Sequence, residues 1–182
     1  MSKKERAKSI VIFSVMLLYI IMLLSLMLFS FGGAIRSEQR GINIVPFRSI
    51  VLYLPYLFSS SHSLTNLLGN IVMFTPLGVF SILLLQDKRV LPNLACTFLF
   101  SLAVEILQYI FARGISDIDD IILNCLGGLF GILIYKALLG VLKSEAKVRT
   151  AIAIASVIVL PLILRVFWGS VHTYISYMKF VG

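Results

Sequence analysis

Long uncharged apolar runs alternate with short polar breaks along the chain, and the runs set the predicted elements. No charged residue occurs from Ser9 to Phe31, which predicts a first helix closed by Gly32 and Gly33. Residues 34–65 form the longest polar break. Within it Ile50–Phe58 is apolar, broken by Pro55 and too short to cross a bilayer, so it reads as an interfacial or re-entrant segment with Tyr53 and Tyr56 at headgroup depth. A second helix is expected over 65–85, kinked at Pro76 because proline lacks the backbone donor and crowds the preceding turn. The polar turn 86–89 and Pro92 precede a third helix over 93–111. ISDID (115–119) reads as a very short loop, followed by a fourth helix over 120–142. After a basic turn with Lys143, Lys147 and Arg149, a fifth helix covers 151–168, and Trp168, Tyr174 and Tyr177 read as an aromatic belt in its tail.

Several of these runs exceed the roughly 18–20 residues that span a bilayer. The expected fold is therefore all-α: a polytopic membrane helical bundle of about five transmembrane helices plus the short interfacial or re-entrant segment. A single membrane domain over 1–182 is expected, with an N-terminal helix (9–33) and a C-terminal helix (151–169) flanking a central core.

Composition strengthens this reading: 59% of residues are hydrophobic and the mean hydropathy is +1.02, against about 45–50% apolar residues in soluble domains. No polar segment is long enough to hold a separate soluble activity. The basic start resembles a signal peptide, but the apolar run is too long and no small-residue cleavage site ends it, so a retained helix is expected. Lys and Arg number 16 against 8 Asp and Glu, a net charge of +8. The surplus sits in short breaks, where it orients a membrane protein, and no polar fold presents it to nucleic acid. Nine basic residues fall in the N-terminus and the 86–91 and 143–149 turns, against five (Arg36, Arg40, Arg48, Arg113, Lys179) on the other side. The positive-inside rule then puts the N-terminus in the cytoplasm and, with five spans, the C-terminus outside. Cys96 and Cys125 fall in apolar helical stretches and read as inert thiols, without metal-ligand spacing.

The chemistry concentrates in residues 105–131, which carry four of the eight acidic residues among apolar helices. Ionisable groups there are costly, a few kcal/mol each on insertion scales. Asn66 and Asn70 are i, i+4 on helix two, Glu105 and Gln108 are i, i+3 on helix three, and Asp120 and Asn124 are i, i+4 on helix four. Each pair shares one helix face. In the expected topology all of them, with Arg113, Asp117 and Asp119 in the loop between, land in the outer third of the membrane. The amides also read as packing between helices, and Gly127, Gly128 and Gly131 as small residues that let helix four approach a neighbour closely. Glu105 is too deep for easy hydration, so it is ion-paired, protonated or chemically used; in the last case it reads as a general base, with Asp120 as its catalytic companion. Asn66, Asn70, Gln108, Arg113 and Asn124 are the candidate ligand-binding residues, Arg113 suiting a phosphate. Asp117 and Asp119 read either as solvated loop charges or, beside Asp120, as oxygen ligands to a divalent cation. No Ser/His/Asp triad and no HExxH motif is present.

Four blocks carry a resemblance to a known family: NIVPF (43–47), NLLGNIVMFTPLG (66–78), Glu105-Ile-Leu-Gln108 and RGISDIDDIILNCLGG (113–128). In order and spacing the chain resembles the VanZ-like family of bacterial membrane proteins over roughly 43–135, with a family core expected at about 43–142. The resemblance implies a compact helical membrane domain linked to resistance to teicoplanin, a glycopeptide that targets lipid-linked cell-wall precursors. The implied partners are a membrane lipid or lipid-linked precursor, or a lipoglycopeptide, either bound or chemically altered. A small transporter and a purely structural membrane protein are the alternatives, although the absence of internal repeats speaks against the repeat-built transporters.

Overall fold

The computed structural model describes residues 3–30, 41–56, 58–112 and 115–181. Helix α1 (Lys3–Ser25) continues into a π-helical turn (Leu26–Ser30). Strand β1 (Gly41–Asn43) precedes the short helix α2 (Arg48–Tyr53) and a 3-10 turn (Leu54–Tyr56). Helices α3 (Ser61–Leu85) and α4 (Val90–Ile110) follow, then strand β2 (Ile115–Asp117), α5 (Ile118–Leu142) and α6 (Glu145–Val181). Among the described residues five helices are long and apolar enough to cross a membrane, so the protein is an all-α membrane bundle. The chain divides into two compact units, Met1–Arg36 with Leu138–Gly182, and Ser37–Ala137.

Several boundaries differ from those expected, each for a local reason. Helix α1 starts at Lys3, six residues before Ser9, because its basic opening is itself helical. Lysine and arginine are good helix formers, and Lys8 donates to Glu5 at 2.8 Å across one turn. The stop expected at Gly32 and Gly33 lies outside the described residues. Helix α4 starts at Val90, placing Pro92 in the first turn, where no backbone N–H is needed. Helix α3 starts at Ser61, four residues before 65, because the Ser60 hydroxyl caps it by accepting from the Ser63 N–H at 3.4 Å. Helix α6 runs through Pro161 to Val181, so the tail after Trp168 is helical.

The largest correction concerns the expected loop 115–119. Ile115–Asp117 is a strand that pairs in parallel with Gly41–Asn43, in the register Gly41↔Ile115, Ile42↔Ser116, Asn43↔Asp117. Asp119 belongs to the first turn of α5. Parallel strands need a long crossover, which here consists of α2, α3 and α4. Ile50–Phe58 does not cross as a helix of its own: α2 and its 3-10 turn are short, and Val51, Leu52, Leu54 and Tyr56 are exposed. Exposed apolar side chains on a short helix suit an interfacial position.

In the Ser37–Ala137 unit, α3 and α5 meet backbone to backbone. A Cβ on Gly78 would collide with the Gly128 carbonyl oxygen, one on Gly127 with that of Ile71, and one on Gly131 with that of Thr75. Small residues at such contacts let membrane helices gain van der Waals attraction at close range. Phe74 is fully buried beside this seam, edge-on to Phe100 at 6.1 Å. In the other unit, α1 buries Ile12, Val15, Tyr19 and Leu23, and α6 buries Val148, Ile152 and Ile163. Arg149 donates to Ser9 at 3.2 Å near the start of both helices, and α6 also meets the π-helical turn that ends α1. The two helices therefore run side by side in the same direction.

Candidate functional site

Asp117, Asp119, Glu105 and Asp120 of the Ser37–Ala137 unit fall into two groups with different tasks. Asp119 is fully buried at 0% exposure, and its carboxylate caps the start of α2. Its oxygens accept from the backbone N–H groups of Phe47, Ser49 (2.7 Å) and Ile50 (3.2 Å). A short helix leaves its first N–H groups unpaired, and no side chain of α2's own N-cap fills that need. Phe47 takes a left-handed conformation (φ 67°) that turns these amides toward Asp119. Asp117 completes the fastening. It accepts from Asn43 Nδ2 at 2.9 Å, from the Ser49 hydroxyl, and from its neighbour's backbone at Asp119 N (2.9 Å). Asp117 and Asp119 thus hold the β1–α2 segment against the start of α5.

Glu105 and Asp120 are placed differently. Glu105 is 3% exposed in the penultimate turn of α4, and its Oε2 accepts from the Asp117 backbone N–H at 2.9 Å. Asp120, partly buried in the first turn of α5, accepts from Asn70 Nδ2 of α3 at 2.7 Å. The two carboxyl groups lie close enough for their charges to act on each other. One turn further along α5, Asn124 donates to the Ser101 hydroxyl of α4 at 2.9 Å. Asn124 is 0% exposed, and its Oδ1 has no hydrogen-bond partner among the described residues. A buried acceptor without a partner costs about 1–3 kcal/mol.

Helix α4 presents a longer polar face than expected. Asn93, Thr97, Ser101 and Glu105 are all buried and follow one another at i, i+4 steps, so they line one face for about 18 Å. Asn93 anchors its lower end by donating to the carbonyls of Asp87 and Arg89, both at 2.7 Å, and its Oδ1 is likewise buried without a partner among the described residues. Thr97 packs against Gly128 of α5.

Of the residues expected to form a site, the structure joins Asn70 to Asp120 and Glu105 to Asp117 directly, and sets Asn124 one turn from Asp120. Asn66 and Gln108 are partly buried on the flanking turns. Arg113 lies outside the described residues. Asp117 and Asp119, expected to ligate a cation, spend their oxygens on Asn43, Ser49 and backbone amides. Among the described residues no three His, Cys, Asp or Glu side chains are grouped to hold a metal ion. Asn43, Ser49, Asn93, Thr97 and Ser101 were not singled out by the sequence. The i, i+4 spacing of 93, 97, 101 and 105 was the available signal for three of them, and the NIVPF block contained the fourth, Asn43. Nothing in the sequence marked Ser49.

The rest of the cluster is acceptor-rich. The amide nitrogens of Asn43, Asn70 and Asn124 each face a partner within the protein. Glu105, Asp120 and Asn124 Oδ1 contribute acceptor oxygens. Such a constellation suits groups that donate hydrogen bonds: ammonium, hydroxyl or amide N–H.

Comparison with known proteins covers this whole arrangement. The family model VanZ/LLP1 matches residues 15–140, from α1 to the end of α5. Protein VanZ of Enterococcus faecium is 31% identical over 122 residues, which is 65% of this chain and 69% of that protein. No solved structure matches the chain. With a family match over that range and a relative of that similarity, this multi-pass membrane protein belongs to the VanZ/LLP1 family.

Proposed function

We propose that the protein works in the bacterial cell envelope, where the Glu105–Asp120–Asn124 cluster binds the polar part of a membrane amphiphile and thereby lowers susceptibility to glycopeptides of the teicoplanin type. The ligand is a lipid-linked cell-wall precursor or a lipoglycopeptide, both rich in hydroxyl and amide donors. The observation that carries this reading is the division of the acidic residues. Asp117 and Asp119 are consumed by the fold, whereas Glu105 and Asp120 are supplied from different helices to one place and keep acceptor character. Buried carboxylates among membrane helices are retained at a cost, which Glu105 bears at 3% exposure with partial relief from the Asp117 N–H. Asn70 and Asn124 orient the cluster, and Asn66 and Gln108 flank it. The N-terminus lies in the cytoplasm, the C-terminus lies outside, and the cluster opens to the outer leaflet.

The test combines a deletion strain, the wild-type gene and Glu105→Gln, read by teicoplanin susceptibility and mass spectrometry of envelope lipids. Wild type raises the inhibitory concentration and Glu105→Gln returns it toward the deletion value. A lipid profile that changes with the wild-type gene and reverts in Glu105→Gln assigns Glu105 a role as general base on that lipid. An unchanged profile with altered susceptibility assigns binding alone. Full protection by both Glu105→Gln and Asp120→Asn refutes the site. Cysteine labelling of position 113 from the cytoplasmic side only would refute the orientation.

A further inference from the structure

A second feature lies in the other unit, away from the polar cluster in sequence and chemistry. Helices α1 and α6 leave a groove of about 410 Å³ between them. Its walls are apolar, formed by Ala7, Val11, Ala153, Val157 and Ile158, and Lys8 and Thr150 stand at one end. From Thr150 to Ile158 the groove follows about 12 Å of helix at 1.5 Å per residue. That is most of one leaflet's hydrocarbon depth, roughly 15 Å. The groove therefore has the length and polarity of a single acyl chain running from headgroup level toward the midplane.

The mouth supplies the headgroup chemistry. Lys3, Lys4, Arg6, Lys8, Lys143, Lys147 and Arg149 are seven basic residues against two acidic ones, Glu5 and Glu145, at the starts of these two helices. Lys8 lines the groove and is held by Glu5 at 2.8 Å, while Arg149, the chain neighbour of the lining residue Thr150, is held by Ser9 at 3.2 Å, so both cations are fixed near this end. A lysine carries three N–H donors and an arginine five, which leaves donors for a phosphate after these contacts. We propose that the α1–α6 groove is a binding site for one anionic phospholipid, with an acyl chain between Val11 and Val157 and the phosphate against Lys8 and Arg149. Apolar walls alone would accept any lipid; the fixed cations select the anionic one.

The test is native mass spectrometry of the full chain in detergent, titrated separately with phosphatidylglycerol and phosphatidylcholine of equal chain length. Phosphatidylglycerol adducts should persist at about tenfold lower lipid concentration than phosphatidylcholine adducts. Ala153→Leu, which fills the groove, and the double variant Lys8→Gln/Arg149→Gln should each abolish that preference. Should Ala153→Leu fail to fold by circular dichroism, Ala7→Leu at an exposed position makes the same test. Equal retention of the two lipids by wild type overturns the proposal. So does a preference that survives groove filling, which would mean attraction to the basic surface without a seated chain.

Discussion

Asp119→Ala is the sharpest perturbation of the arrangement around the polar cluster. The substitution leaves the α5 helix its best helix former but strands three backbone N–H groups, those of Phe47, Ser49 and Ile50. Hydrogen bonds to a charged acceptor contribute about 1.5–3 kcal/mol each, so three amount to roughly 4.5–9 kcal/mol if they add. They act as one unit, and losing one side of a buried charged network costs about 3–5 kcal/mol. The short helix α2 can also escape the penalty by swinging away so that its amides meet water. The expected outcome is therefore local release of residues 41–56, not unfolding of α3–α5. Hydrogen exchange followed by mass spectrometry on protein in nanodiscs measures it. A loss of about 3 kcal/mol accelerates exchange of peptides across 47–51 by roughly 100-fold. Asp119→Asn keeps the shape and one acceptor oxygen but turns an NH2 group toward an amide, and should fall between wild type and Ala. Exchange in 47–51 within about threefold of wild type in Asp119→Ala, under 1 kcal/mol, would refute the role assigned to this carboxylate.

Other consequences are as direct. Gly131→Ala must push α5 away from the Thr75 carbonyl, and thermal unfolding should show a loss of about 1–3 kcal/mol or more, as overpacking does elsewhere; an unchanged melting temperature would contradict the backbone contact. Asn70→Ala removes the 2.7 Å donor from Asp120, and the same assay should register about 1.5–3 kcal/mol, the cost of losing a bond to a charged acceptor. In the turn after α3, hydrogen bonds from the Arg89 guanidinium hold the Asp87 carboxyl below the usual carboxylate range. Whatever that pair contributes is present above the ordinary carboxylate pKa and lost as pH falls through the lowered one. An NMR titration of Asp87 should accordingly find a midpoint that moves up in Arg89→Gln.

The membrane helices were legible because lipid leaves the backbone few options. Uncharged runs of this length, such as 9–31, cross as helices, and all five were recognised from the sequence. Helix ends were less legible. Lys3–Lys8 looked like a polar leader because charge marks the limit of the hydrocarbon, not of the helix. The tail after Trp168 was read as an aromatic belt because Trp168, Tyr174 and Tyr177 suit headgroup depth. The ribbon between Gly41–Asn43 and Ile115–Asp117 was invisible, since three-residue strands have no readable period and their partners lie 74 residues apart. That pairing decides the fate of Asp117 and Asp119. Their composition suggested cation ligands, and the tertiary contacts add a task the composition did not show, that of fastening a distant segment. Glu105 was legible from the opposite circumstance: its helical surroundings are so apolar that any position for it is conspicuous.

The long reach of those fastenings imposes an order on biosynthesis. The Phe47 amide waits for Asp119, which is 72 residues further along the chain. At about 5–20 residues per second this is a delay of roughly 4–14 s during translation. Through that interval the β1–α2 stretch has already left the ribosome while its anchor is still being made. Membrane insertion of α3 and α4 must therefore proceed without it, and the emergence of residues 115–120 is the event that closes the assembly.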